Sequence, residues 1–197
     1  MIGKQTKGIA LFVMMNVGAV GCLADSGDES DAQPPDAMQR TIVTLNADGT
    51  YDQVFEMVTP AQRQSEIDAR LALIAASGSA VAPQRSIVAV DGACVAADLW
   101  LFDQTALGGS ELCLFLRDES FAFLDLGQIC RNPSCSLSWS GATRSLWAGV
   151  TPGNLTACTP TLCFTGPGNG FHFNAFQRFD NVAPGVHPLN NIGLFAP

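Results

Sequence analysis

Cys94 to Leu116 reads CVAADLWLFDQTALGGSELCLFL, and this stretch decides the fold. Two runs of β-prone apolar residues, Leu99 to Phe102 and Leu112 to Leu116, flank a polar connection that contains Gly108 and Gly109. That pattern is a β-hairpin. Cys94 stands before the first run and Cys113 at the second, so a disulfide between them would brace the hairpin.

Outward from the hairpin the chain repeats itself. Cys113, Phe121 and Phe123 recur as Cys163, Phe171 and Phe173 at a constant offset of 50, and Leu126 and Ile129 fall opposite Phe176 and Phe179 at that offset. Leu99-Trp100 is echoed by Leu146-Trp147 at an offset of 47. The chain from about Cys94 therefore reads as two copies of one β-rich unit. Phe121 and Phe123, like Phe171 and Phe173, are two residues apart, which puts each pair on one strand face, expected to be the core face.

In FDQTALGG, Phe102, Leu107 and Gly109 sit where βγ-crystallin Greek-key units carry an aromatic, a second aromatic and a glycine in a folded hairpin, with Leu107 replacing the second aromatic. On those residues the chain from Cys94 to Pro197 resembles the βγ-crystallin superfamily. The glycine there permits a backbone turn that a side chain would obstruct. The resemblance implies an all-β fold of two Greek-key units. It assigns strands to Leu99–Phe102, Leu112–Phe115, Phe121–Leu126 and Arg144–Ala148 in the first, and to Leu155–Cys158, Leu162–Thr165, Phe171–Phe176 and Ile192–Phe195 in the second. Many members of that family bind calcium. The corresponding stretches here, Ser140 to Ser145 and Asn190 to Phe195, do not assemble the six or more oxygens that calcium takes, so neither metal nor cofactor is expected.

Seven cysteines divide into Cys22 alone and an even set of six, as three disulfides in an oxidising compartment require. Six cysteines allow fifteen pairings. Cys94–Cys113, Cys130–Cys135 and Cys158–Cys163 each bracket a turn and are the expected set. The alternative, a four-thiolate zinc site from the two Cys-x4-Cys pairs, suits a cytosolic chain better than an exported one.

Export is read from the first residues. Lys4 and Lys7 precede an apolar run, Ile9 to Val20, too short to span a bilayer and of the length of a signal-peptide core. Ala19-Val20-Gly21-Cys22 resembles the lipobox of bacterial lipoproteins, which implies a lipid anchor on Cys22; cleavage by an ordinary signal peptidase with free secretion is the alternative. The expected organisation is a signal peptide over 1–21, an acidic disordered tether over 22–40, a hairpin and helix appendage over 41–84 and a disulfide-stabilised domain over 85–197. The tether's acidic residues, Asp25, Asp28, Glu29 and Asp31, lack EF-hand spacing.

In the appendage, Thr41 to Leu45 and Tyr51 to Val58 flank the turn Asn46-Ala47-Asp48-Gly49. Thr59 is placed as a helix N-cap, with Pro60 at the first helical position and Gln62 in a capping box. Ile67, Leu71 and Ile74, with Leu73, form the apolar stripe, and Gly78 is the stop.

The chain has 197 residues, 47% hydrophobic and 14% charged, with a formal net charge of -8. Both lysines lie in the signal segment. Such a chain is a poor partner for a nucleic-acid backbone. No positioned nucleophile accompanies His172 and Asp180, so no catalysis is expected. Trp100, Trp139 and Trp147 could stack on sugars if exposed, but beside apolar strand neighbours they read as core. The function read from the sequence is an exported, lipid-anchored cell-envelope module that binds or supports, with an envelope or extracellular protein or glycan as partner. The alternative is a peptidase inhibitor of the same fold presenting Arg131-Asn132-Pro133-Ser134, a segment that otherwise serves as a tied hairpin turn.

Overall fold

The computed structural model describes residues 36–46, 48–77, 93–117, 122–159, 163–164, 170–182 and 188–195. The signal segment, Cys22, most of the tether, the linker with Gly78, Phe121 and His187 lie outside them. In chain order the elements are β1 (Met38–Leu45), β2 (Tyr51–Val58), α1 (Pro60–Ser77), β3 (Leu99–Phe102), β4 (Glu111–Leu116), β5 (Ala122–Asp125), β6 (Ser145–Ala148), β7 (Gly153–Cys158), β8 (Cys163–Phe164), β9 (Gly170–Phe173), β10 (Arg178–Phe179) and β11 (Asn191–Leu194). The described residues are thus mostly β, with one helix.

Two sheets form. One runs β10-β6-β3-β4-β1-β2, antiparallel except for β1 beside β4, which is parallel. The other runs β5-β11-β7, with β8 and β9 both on the far edge of β7. The halves of the Cys94–Pro197 segment exchange strands. β4, β3 and β6 lie side by side and take β10 from the second half, while β7 and β11 with β8 and β9 take β5 from the first.

Strands β3, β4 and β6 are buried at every position because their sheet is the middle of three layers. Val43, Leu99, Leu101, Leu112, Leu114 and Leu146 face Leu124, Leu155, Phe173, Ile192 and Leu194 of the second sheet in one core. Trp100, Phe102, Cys113, Phe115 and Trp147 face the other way, toward Ile67 and Ile74 of α1. Continuous apolar runs, rather than alternation, are what strands covered on both faces require.

The structure corrects several expectations. The hairpin and helix are not an appendage. β1 pairs with β4 along six residues and α1 covers the sheet, and Gln33–Pro197 clusters as one compact unit. Pairing across some 70 residues of sequence leaves no local trace, so nothing along the chain near residue 84 marks the two parts as one sheet. Met38 to Arg40, assigned to the tether, belongs to β1, and Arg40 is wholly buried. Phe123 is 52% exposed, and β5 turns Leu124 inward instead, a one-residue change of register that reverses the strand's faces. Phe173 does reach the core, on β9, which ends there instead of running on to Phe176 and extends the edge of β7; the strand passed to the other sheet is Arg178–Phe179.

Candidate functional site

Helix α1 begins as its sequence dictates, with the Thr59 hydroxyl accepting the Gln62 N–H at 3.2 Å. Its buried face is a different matter. Leu71 and Leu73 are 49% and 40% exposed, whereas Arg63, Glu66 and Arg70 are buried beside Ile67 and Ile74. Spacings of three and four residues put these charges on one face of the helix. Buried Arg and Glu are found almost only when paired, and here the partners come from strands far away in sequence.

Arg40 on β1 stands directly opposite Glu111 on β4 and Glu56 on β2. Its Nε donates to Glu111 Oε1, its Nη1 to Glu56 Oε1 at 2.9 Å and to Glu66 Oε1 at 3.0 Å, and its Nη2 to Glu66 Oε2. Arg63 Nε lies 2.8 Å from Glu111 Oε2, and its other nitrogens donate to the carbonyls of Leu107 and Gly109. Arg63 therefore clamps the helix onto the folded hairpin. Burial pushes the Glu111 carboxyl above its ordinary range, against the pull of Arg40 and Arg63. Burial acts to lower the Arg40 guanidinium, but Glu66 and Glu111 more than offset it and leave it raised.

One turn on, Arg70 donates to the carbonyls of Val95 and Ala97 at 3.0 and 3.1 Å, and lies 5.8 and 5.3 Å from the ring centroids of Trp100 and Trp147. Burial lowers it to about 10, opposed by the charge of Asp98, so it stays protonated at neutral pH. Asp98 accepts from Leu116 N and from the Thr151 hydroxyl. Charges committed to one another in this way hold the layers in register and present no reactive group outward.

Cys94 and Cys113 Sγ and a Glu111 oxygen all lie within 4.8 Å of one another, a spacing that would suit a metal. The sulfurs are joined in a disulfide and supply no thiolate, so the group does not fit one. Cys130–Cys135 and Cys158–Cys163 are likewise bonded, which removes the zinc alternative.

The folded hairpin is built on Phe102, Leu107 and Gly109. Phe102 and Leu107 are buried, and Gly109 has φ +75°, with Asp103 Oδ1 only 2.0 Å from where a Cβ would stand. Ser145 secures this hairpin by donating to Gln104 O and accepting from Leu107 N. Asn190 does the same for the turn after β7, bonding both Cys158 N and Cys158 O. The stretches compared with calcium motifs thus spend their key side chains on backbone.

Trp100, Trp139 and Trp147 are at most 2% exposed and offer no sugar platform. His172 is exposed, with Nδ1 2.8 Å from Asn154 Oδ1, and Asp180 pairs instead with Arg178. No nucleophile contacts either among the described residues.

The segment Arg131 to Ser134 forms a tied loop. The Cys130–Cys135 disulfide closes it, Arg131 N donates to Leu137 O, and the Asn132 amide donates to the Ser134 and Ser136 hydroxyls at 3.0 and 2.8 Å. Gln53 and Thr41 anchor its base by donating to Cys130 O. Pro133, Ser134, Ser136 and Leu137 are left exposed at its tip.

The sequence reading missed Arg40, Arg63, Glu66, Arg70, Asp98 and Glu111. The one available signal was that Arg63, Glu66 and Arg70 share a helix face with Ile67 and Ile74, which makes the charged stripe as periodic as the apolar one. Comparison of the chain with protein-family models, curated protein sequences and solved structures finds no match in any of the three. Three disulfides fit an exported protein, and among the described residues no helix is long and apolar enough to cross a membrane.

Proposed function

We propose that this protein is an exported, non-catalytic module of the cell envelope, anchored through lipid on Cys22, that binds an envelope or extracellular partner on a rigid βγ-crystallin-like body. The exchange of one strand between the two halves of the Cys94–Pro197 segment, together with the hairpin turned at Gly109, supports the Greek-key kinship. The observation that carries the binding reading is the tied loop. Its backbone and amide bonds fix the conformation before any partner arrives, so little ordering entropy is lost on association. The charged groups of the interior, by contrast, are taken up by one another and by buried backbone and hydroxyl groups.

Lipidation rests on Ala19-Val20-Gly21-Cys22, since multiple acyl chains on one cysteine give the stable attachment that a single chain does not. The test expresses the intact protein and Cys22→Ala in the source cell type, fractionates both, and exposes whole cells to external protease. Loss of membrane retention on substitution supports the anchor; release of both proteins into the medium replaces it with secretion. The braced loop also favours a second reading, inhibition of a peptidase by Arg131 to Ser134. Dose-dependent inhibition within a metalloprotease panel, abolished by replacing Asn132-Pro133-Ser134 with Gly-Ser-Gly, would establish that reading over the first.

A further inference from the structure

The solvent side of the second sheet carries a row of residues fixed by strand register. Phe123 of β5 stands opposite Gly193 of β11, Gly193 opposite Asn154 of β7, and Asn154 opposite His172 of β9. Their chain neighbours Leu124, Leu155, Ile192 and Phe173 are in the core, so by alternation this row faces outward. Three strand gaps of roughly 4.8 Å make it about 14 Å long, the reach of a short oligosaccharide. Asp125 and Thr156 stand on the same side one step along.

Phe123 is half exposed, while Gly193 beside it has no side chain and yet is buried. An aromatic ring next to a glycine on the adjacent strand has room to lie across that backbone and present its outer face. The polar end of the row is preset. With His172 Nδ1 donating to Asn154 Oδ1, the Asn154 amide N–H groups remain as donors and His172 Nε2 as an acceptor. Asp125 Oδ1 takes the Gly127 N–H, leaving its second oxygen as an acceptor. The row has no cation and one adjacent carboxylate, on a chain of net charge -8, so acidic ligands are repelled.

We propose that this face binds a neutral oligosaccharide, one sugar laying its C–H face on Phe123 while hydroxyls of the next exchange hydrogen bonds with Asn154, His172 and Asp125. The inference rests on the binding-module reading but uses residues other than those of the tied loop. The full-length protein is tested for retention on cellulose, chitin and alginate, with cellohexaose and chitohexaose as soluble competitors. Retention on cellulose or chitin, displaced by the matching hexaose and absent on alginate, is expected. Phe123→Ala weakens it about tenfold, as truncation of an aromatic anchor does, His172→Ala about threefold by the loss of one neutral hydrogen bond, and Leu71→Ala on the exposed side of α1 leaves it unchanged. Retention by neither neutral polymer, or retention insensitive to both Phe123→Ala and His172→Ala, overturns the proposal. A chain that is anchored on the cell but retained by no polymer loses the saccharide and keeps the binding-module reading; a chain that stays in the cytosol loses that reading whatever the polymers show.

Discussion

Replacing Arg40 with methionine tests whether the charges under α1 act as one unit. The cluster holds two guanidiniums, Arg40 and Arg63, and three carboxylates, Glu56, Glu66 and Glu111. Arg40→Met leaves three carboxylates facing a single guanidinium, and Glu66 and Glu111 are buried where water cannot compensate. Breaking a buried pair from one side costs about 3–5 kcal/mol. Glu56 is partly exposed and adds little. Glu111→Gln is the contrasting change, because it leaves two carboxylates on two guanidiniums. Burial already holds the Glu111 carboxyl above its ordinary range, and glutamine keeps its shape without its charge, so this change costs less than Arg40→Met. With a urea slope near 2 kcal/mol per molar, the midpoint falls by about 2 M for Arg40→Met and by less for Glu111→Gln, disulfides intact. The sign with pH follows by linkage. A carboxyl raised in the folded state stabilises fully below its unfolded pKa and loses that contribution as pH rises through its folded value. The margin of the wild type over Glu111→Gln is therefore widest in acid and narrows toward neutrality, whereas the Arg40→Met penalty, carried by stranded carboxylates, is largest at neutral pH and shrinks in acid. A Glu111→Gln loss as large as that of Arg40→Met, or a margin that widens with rising pH, would refute the cluster reasoning.

Three further outcomes are expected. Gly109→Ala meets Asp103 Oδ1 at a φ of +75° and should cost about 2 kcal/mol, a Tm decrease of roughly 4–8 °C by calorimetry. On the helix, Leu71→Ala and Leu73→Ala should each stay within about 0.5 kcal/mol of wild type, while Ile67→Ala, packed against the Trp100 and Phe102 face, costs about 1–2 kcal/mol in the same urea titration; equal losses would restore the apolar stripe that the exposures contradict. Opening Cys94–Cys113 by the double alanine change removes a cross-link of sequence separation 19 and should cost about 3 kcal/mol, against about 2 kcal/mol for Cys158–Cys163 with its separation of 5; the reverse order would show that chain entropy is not what these bonds contribute.

The amino-acid sequence alone carried whatever depends on neighbours along the chain. The Leu99–Leu116 hairpin, the Asn46–Thr50 turn and the Thr59 cap are local events, governed by turn chemistry, strand propensity and a side chain reaching three residues ahead. The turn-bracketing cysteine pairs are local in the same sense, since a short loop brings its own ends together. What the tertiary structure decided is everything set by burial from two sides. Whether Phe123 or Leu124 points inward depends on which sheet β5 joins, because a shift of one residue exchanges the faces. The split of α1 between exposed leucines and buried arginines depends on Glu111 and on Arg40 with its Glu56 partner, which the β1–β4 pairing places under the helix. Helical periodicity tells which residues share a face but not which face is covered, and only the partner surface, assembled from strands some 70 residues apart, supplies the opposite charges that make the polar face the buried one.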